Sequence, residues 1–166
     1  MSLLDAPAYD EVGERRKRFI LFGSAGVICV LFIGGWLMAG TPVDWPWNWW
    51  THIRGRAVVN TFFQDVEKND LKSAYGVFIH DADWQQHPNK DVAYPFQKFE
   101  QDWSPSGQGN EFGAIHSHKI VAAKVAGNVL LVGLRFNRVR TSTLTLAYDP
   151  KDHTLSFSPV ELYLGD

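Results

Sequence analysis

The chain has 166 residues, of which 45 % are apolar, and its 16 lysines and arginines stand against 18 aspartates and glutamates for a formal net charge of −2. This balance provides no basic field to neutralise phosphates, so nucleic acid is not an expected partner. The single cysteine, Cys29, excludes an intrachain disulfide, so the folded part must be held together by its core.

The apolar residues are concentrated near the N-terminus. Residues 19–39 carry no charge, and 16 of these 21 residues are apolar. About 20 such residues in a helix cross the hydrocarbon core of a membrane once. The run directly follows four cations, Arg15, Arg16, Lys17 and Arg18. We therefore predict a polar tail over 1–18 and a single transmembrane helix over 19–39.

The same cations predict the orientation of the span. Lysine and arginine favour the cytoplasmic side, and the first charge beyond the span is Asp44. We expect a cytoplasmic N-terminus and a periplasmic C-terminal domain on a bacterial cytoplasmic membrane. A cleaved signal peptide is an alternative, but its apolar region usually has about 7–15 residues and no A-x-A-like site follows Met38. A twin-arginine signal is a further alternative, which the basic block only approximates.

Three glycines in the span predict a surface for another helix. Gly23 and Gly34 are eleven residues apart and share one helical face, with Gly26 close to them. Small residues allow a second transmembrane helix to approach closely. Glycine is also common in membrane helices in general, and no i, i+4 glycine pair is present. We expect other membrane subunits to dock on this face.

Tryptophans cluster where the span ends. Trp36, Trp45, Trp47, Trp49 and Trp50 fall within fifteen residues. Indole rings favour the lipid headgroup layer, so an aromatic belt against the bilayer is the expected role, and packing into a neighbouring subunit is the alternative. Since Pro42 and Pro46 oppose a regular helix, we predict an irregular interfacial linker over 40–55.

A folded domain is predicted over 56–166, beginning with helices. Apolar residues at Val59, Phe62, Phe63 and Val66 have helical spacing, which predicts a helix from Arg56 to about Asn69. Asp70 can cap a second helix that buries Leu71, Ala74, Tyr75 and Phe78. A third helix opens at Pro95 and places Phe96, Phe99 and Trp103 on one side.

The rest of the domain has the pattern of an antiparallel sheet. Four segments rich in β-branched and aliphatic residues cover 114–126, 129–137, 139–148 and 154–162. Short turns separate them, so neighbouring strands should pair antiparallel. One sheet face must then be covered by the preceding helices. The predicted fold class is α+β, with helices packed on a four-stranded sheet.

Two segments carry a family resemblance. The sequences AVVNTFF at 57–63 and NDLKSAY at 69–75, followed by a closing sheet, resemble the NTF2-like (cystatin-like) superfamily. The resemblance covers about residues 56–164 and implies a sheet that curls into a cone around a long helix. It implies no single function, because this superfamily includes enzymes, transport factors, assembly factors and structural modules.

Few residues have a pattern that indicates chemistry. His116 and His118 alternate as two metal ligands could, but no third ligand is apparent, so we expect no metal site and no cofactor. If the cone has a pocket, its candidate residues are Tyr75, Asp83, Trp103 and His116. Asp83 needs burial to act as an acid or base, and aspartates in such positions more often cap turns. We expect no catalytic residue.

Three functions remain, and the first is favoured. The chain is a non-catalytic accessory, scaffolding or assembly subunit that contacts other membrane subunits and the bilayer; respiratory and photosynthetic complexes are hosts of this kind. Alternatively, the cone binds a lipid, quinone or other apolar molecule in a cavity of about 300 Å³ or more near Tyr75, Phe96 and Trp103. A third hypothesis is a hydrolyase or isomerase with a titratable group in that cavity.

Overall fold

A computed structural model describes residues 11–39, 44–87, 94–158, 160 and 162. Its helices are α1 (Glu11–Ala39), α2 (Trp49–Glu67), α3 (Leu71–Phe78) and α4 (Phe96–Trp103). Its strands are β1 (His118–Ala126), β2 (Val129–Phe136), β3 (Thr143–Tyr148) and β4 (Leu155–Phe157). Two short 3-10 turns lie at Pro46–Asn48 and Trp84–Gln86. The fold is α+β, as predicted.

Helix α1 is long and apolar enough to cross a membrane, and it lies near the N-terminus. Its 29 residues extend about 44 Å at 1.5 Å per residue. The helix begins at Glu11, so residues 11–18 of the predicted tail are helical and the four cations lie on its first turns. Residues 1–10 lie outside the described residues. Lysine, arginine and glutamate are good helix formers, which explains the longer helix.

Helix α2 begins at Trp49, seven residues before the predicted start at Arg56. The predicted irregular linker is therefore wrong over 49–55, because no proline follows Pro46 there and only Gly55 interrupts the helix formers. A Cβ atom on Gly55 would lie 2.5 Å from Leu130 Cδ2 and 2.8 Å from Tyr148 Cδ1. This glycine lets the sheet approach the helix backbone. Residues 40–43 of the predicted linker lie outside the described residues.

The predicted break between the next two helices is confirmed. Asn69 has φ 58°, a left-handed conformation that asparagine tolerates and that ends a helix. Asp70 then caps α3: its Oδ1 accepts from the backbone N–H of Ser73 at 3.2 Å, and its Oδ2 accepts from the Ser73 hydroxyl at 2.8 Å. The third helix, α4, also begins as predicted, directly after Pro95.

The sheet is an antiparallel meander with the order β1-β2-β3-β4. In its middle, Val132 of β2 pairs with Ala123 of β1 and with Leu146 of β3, and β1 has an irregularity between Ile120 and Ala122. Strands β1, β3 and β4 are shorter than predicted. The sequence predicted them over 114–126, 139–148 and 154–162.

Asn137 explains why β1 starts late. Its side-chain Oδ1 accepts from the backbone N–H groups of His116 and Ser117, and its Nδ2 donates to the carbonyl of Ala114. One amide therefore takes the place of the strand ladder over 114–117. Such a contact joins residues more than twenty positions apart and leaves no local pattern in the sequence.

The core lies between the helices and one face of the sheet. Phe62 is fully buried at its centre, and its ring contacts Phe63, Phe78, Phe99 and Trp103 at centroid distances of 4.8 to 6.0 Å. The apolar positions predicted to be buried on the first two helices are all buried, as is the β2 face of Leu130, Val132, Leu134 and Phe136. Aromatic side chains therefore fill much of the space between the helices and this face of the sheet.

Candidate membrane and subunit interface

Helix α1 exposes its apolar side chains along its whole length. The large apolar residues of the span are 49 to 81 % exposed, and none of the residues in its most apolar window is buried within the molecule. These side chains are Phe19, Ile20, Leu21, Phe22, Val27, Ile28, Val30, Leu31, Phe32, Ile33, Trp36, Leu37 and Met38. A continuous apolar surface of this size marks a membrane or protein interaction site.

The three glycines predicted to face another helix are open. A Cβ atom built on Gly23, Gly26 or Gly34 would meet no described atom within 4 Å. Gly35 differs, because a Cβ atom there would lie 2.6 Å from Trp49 Cε3. At about 100° per residue, Gly35 and Phe32 lie about 120° and 180° around the helix from Gly23. The extramembrane domain therefore contacts the side of α1 that faces away from the three glycines.

Trp49 fastens the domain to the span. Its indole lies over Gly35 and edge-on to Phe32, with ring centroids 5.7 Å apart. The indole Nε1 donates to the backbone carbonyl of Asp44 at 2.9 Å. The first residue of α2 is thus packed against the last two turns of α1. Trp49 therefore joins the start of α2 to the end of α1 and to the backbone of Asp44.

Asp44 and His52 form a second tie at this junction. His52 is 1 % exposed, and its Nε2 lies 3.2 Å from Asp44 Oδ2, while Asp44 Oδ1 accepts from the backbone N–H of Trp45 at 2.7 Å. Burial pushes the pKa of Asp44 upward, but hydrogen bonds from His52, Trp45 and Asn48 outweigh it and lower the pKa. The carboxylate is therefore ionised at neutral pH. Sequence reasoning assigned neither residue this role.

The remaining tryptophans present their rings to solvent. Trp45 and Trp47 stack in parallel, with centroids 5.0 Å apart and planes 4° from parallel, and both are exposed. Trp50 is also exposed, with the Arg54 guanidinium 5.3 Å from its ring centroid. Exposed indoles beside the end of an apolar helix are typical of the membrane–water interface. Arg15, Arg16, Lys17 and Arg18 are exposed toward the other end of α1.

The four pocket candidates do not come together in one site. The Tyr75 hydroxyl donates to the backbone carbonyl of Tyr94 at 2.8 Å, which ties α3 to the segment before α4. Trp103 is buried in the aromatic core. Asp83 is exposed on the turn that precedes Trp84–Gln86. His116 is exposed just before β1. Their arrangement shows structural contacts and no shared wall of a cavity.

The cleft beside Tyr75 is small. It has a volume of about 180 Å³ and is lined by Tyr75, Trp84 and Phe96 among others. This is below the roughly 300 Å³ of a typical small-molecule pocket. Trp103, expected in its wall, instead packs on Phe62 and lies parallel to Phe157 with centroids 6.0 Å apart. The geometry therefore gives no specific support to a ligand held within the sheet's concave side.

His118 links the sheet to the long helix. Its Nδ1 lies 2.7 Å from Glu67 Oε1 and its Nε2 lies 3.0 Å from Asn60 Oδ1, so the imidazole bridges β1 and α2. His116, two residues earlier, takes no part in this bridge. Within residues 11–39, 44–87 and 94–158, no group of three or more His, Cys, Asp or Glu side chains is placed to hold a metal ion.

Comparison with known proteins identifies no relative: no family model, no curated protein and no solved structure matches the chain. The resemblance to the NTF2-like superfamily therefore depends on the residues of α2 and α3 and on the order of helices and strands. The functional interpretation depends on the geometry of α1 and its junction with α2.

Proposed function

We propose that this chain is a non-catalytic subunit of a larger membrane protein complex, in which it acts in scaffolding or assembly. One observation carries the proposal: α1 leaves its apolar surface uncovered, while Trp49 and the Asp44–His52 pair fasten its far end to a folded domain. A flexible tether needs no such fastening. A fixed junction holds the domain at one angle to the membrane, as a subunit that positions its neighbours requires.

The orientation follows from charge. We place the N-terminus in the cytoplasm and the α+β domain in the periplasm of a bacterial cell, with α1 across the cytoplasmic membrane. The supporting feature is the block Arg15, Arg16, Lys17 and Arg18 on the first turns of α1, since cations are retained on the cytoplasmic side. A protease added to intact spheroplasts should then digest the domain and leave an N-terminal tag intact.

The glycine face of α1 is the proposed contact with a neighbouring transmembrane helix. Gly23, Gly26 and Gly34 lack covering atoms among the described residues, and the extramembrane domain lies toward the other side of the helix. A second helix can therefore approach these glycines without meeting the chain's own domain. Small residues at such contacts allow close backbone packing, which is the main source of affinity between helices in lipid.

The extramembrane domain is proposed to be an NTF2-like module used for its shape. The long helix α2, the break at Asp70, the short α3 with Ala74 and Tyr75, and the meander sheet support this assignment. The aromatic core supports a structural role, because its rings pack closely together between the helices and the sheet.

Isolation at native level tests the proposal. The tagged full chain, extracted in mild detergent, should be recovered with at least one other membrane protein at a fixed ratio. Gly34→Val should reduce that recovery about tenfold, since a loss of 1.4 kcal/mol of affinity has this effect. Ala25→Val is the control, because Ala25 lies about 200° around α1 from Gly23. Recovery of the wild-type chain alone as a monomer would contradict the proposal.

A further inference from the structure

An open groove lies between α2 and α3, on the side of these helices that faces away from the aromatic core. Its volume is about 680 Å³. Ala57, Thr61 and Asp65 line it from α2, and Ser73, Gly76 and Val77 line it from α3. Ala57, Thr61 and Asp65 recur one turn apart on α2, and Ser73 and Val77 do so on α3, so short side chains predominate on both walls. Neither the span nor the core uses this surface.

The size of the lining residues favours a helical occupant. Ala57, Thr61 and Ser73 are exposed and carry at most two heavy atoms beyond Cβ, so the backbone of a third helix can come close to both walls. Helices pack with axes about 8–10 Å apart when small residues line the contact. Val77 is half-buried and provides an apolar contact at the floor. An amphipathic helix in a groove is a recurrent mode of protein recognition.

A poorly solvated carboxylate indicates the charge of that occupant. The Asp65 side chain is 19 % exposed, and the nearest basic group, Lys68 Nζ, lies 4.0 Å away on a side chain that is 70 % exposed. Burial raises the pKa of Asp65; the charge of Lys68 opposes this effect in part, and the charge of Asp70 adds to it. A cation brought by a partner would reduce the free-energy cost of this buried charge.

The groove continues toward the membrane along α2. At about 100° per residue, Trp50, Arg54, Ala57 and Thr61 lie within about 60° of one another on one side of this helix. Trp50 is exposed at the end of α2 that Trp49 fastens to α1. Thr61 lies about 16 Å farther along the helix axis. A partner that contacts Trp50 would therefore meet Arg54, Ala57 and Thr61 on the same side of α2.

From these features we propose that the α2–α3 groove binds an amphipathic helix from the extramembrane part of a partner subunit, with a lysine or arginine of that helix paired to Asp65. The inference rests on the proposed function, since it requires a membrane partner. It adds a second contact, outside the bilayer, to the contact at the glycines of α1. The two contacts together would fix the partner's domain relative to its transmembrane helix.

Photo-crosslinking in native membranes tests the groove. A benzophenone amino acid at Thr61, in the full chain at native level, should crosslink to the same subunit that co-purifies with the wild-type chain. The crosslinked peptide should carry a lysine or arginine within one helical turn of the attachment point. The same probe at Lys124, exposed on β1 and outside the groove, is the control and should give no such product.

Charge reversal then tests the pairing. Asp65→Lys should lower the crosslink yield from position 61 about tenfold, as expected when a partly buried charge pair is replaced by repulsion. Asp65→Glu should retain most of the yield. Glu100→Lys, on the exposed side of α4, should have no effect. Thermal unfolding of each variant confirms that the fold is intact, and Asp65→Asn replaces Asp65→Lys if the latter does not fold.

The outcomes separate the two proposals. Co-purification of a partner without a crosslink from position 61, a crosslink to lipid only, or a yield that Asp65→Lys leaves unchanged would overturn the groove proposal and leave the proposed function standing. Absence of any co-purified partner with the wild-type chain would overturn the proposed function itself.

Discussion

Phe22 on α1 and Phe62 on α2 are the same residue type in opposite surroundings. Phe22 is 72 % exposed, and Phe62 is fully buried among four other aromatic rings. The folded domain buries most of its large apolar residues within the chain, whereas the large apolar residues of α1 are 49 to 81 % exposed. The difference shows that composition alone cannot say where burial takes place. An exposed apolar surface of this extent marks a membrane or protein interaction site.

The two regions meet at the junction of α1 and α2. There Trp49 is covered by α1 on one side, while Trp45, Trp47 and Trp50 remain exposed. Among the described residues, the domain contacts α1 only at this junction. Variants that affect one region and leave the other unchanged therefore test whether the two regions are separate.

The largest expected effect is on the core. Phe62→Ala removes a ring from the centre of the aromatic cluster and should lower the free energy of unfolding of the domain by about 3–5 kcal/mol. Phe22→Ala should leave it unchanged, because the side chain of Phe22 contacts no part of the domain core. Denaturant unfolding in detergent, followed by near-UV circular dichroism, measures both. Equal losses would contradict the separation of the two regions.

The next effect is at the junction. Asp44→Asn should lower the free energy of unfolding by about 1.5 kcal/mol at neutral pH, because it removes a charged acceptor from buried His52. The folded pKa of Asp44 lies below its unfolded value of 3.8, so this stabilisation is present above that value and is lost as the pH falls through the folded pKa. The wild-type and variant unfolding curves should converge in acid. A difference independent of pH would contradict the assigned pair.

Two neighbouring glycines sharpen the comparison further. Gly35→Val should displace the Trp49 indole, so that the backbone amides of residues 44–52 exchange with deuterium about tenfold faster. This factor corresponds to a decrease of about 1.4 kcal/mol in the free energy of local opening. Gly34→Val should leave this exchange unchanged, since no described atom lies within 4 Å of the added Cβ. Hydrogen exchange with mass spectrometry distinguishes them. Identical exchange in both variants would contradict the described junction.

The smallest effect is a gain. Burial raises the pKa of Asp65 above its unfolded value of 3.8, so its ionisation costs stability as the pH rises from that value through the folded pKa. Asp65→Asn should therefore raise the Tm of the isolated chain at neutral pH and leave it unchanged in acid. A lower Tm at neutral pH would mean that ionised Asp65 stabilises the fold, which would contradict the burial cost assigned to it.

Sequence patterns predicted the structural features that depend on residues close together in the chain. The 3.6-residue period identified the buried faces of α2, α3 and α4, and Asn69 with Asp70 marked the break between helices. The segments rich in β-branched and aliphatic residues identified the four strands of the sheet. These features follow from local geometry and from the burial of apolar side chains.

Contacts between distant residues could not be predicted in this way. The bridge from His118 to Glu67 joins positions 51 apart, and the amide of Asn137 delays the start of β1 through a contact with His116, 21 positions away. The close approach of Leu130 and Tyr148 to Gly55 likewise joins residues far apart in the sequence. At the candidate interface, the glycines and tryptophans were apparent in the sequence, whereas the tie between Asp44 and His52 was not.

A crosslinking scan along α1 in native membranes tests the central claim most directly. The account predicts crosslinks to one neighbouring subunit from probes at Val27, Val30 and Leu37, which lie within about 40° of Gly23, and none from Ala25 and Phe32 on the opposite side. The products should therefore recur every three to four residues. Reaction with lipid alone at all five positions would contradict the claim that another helix covers this face.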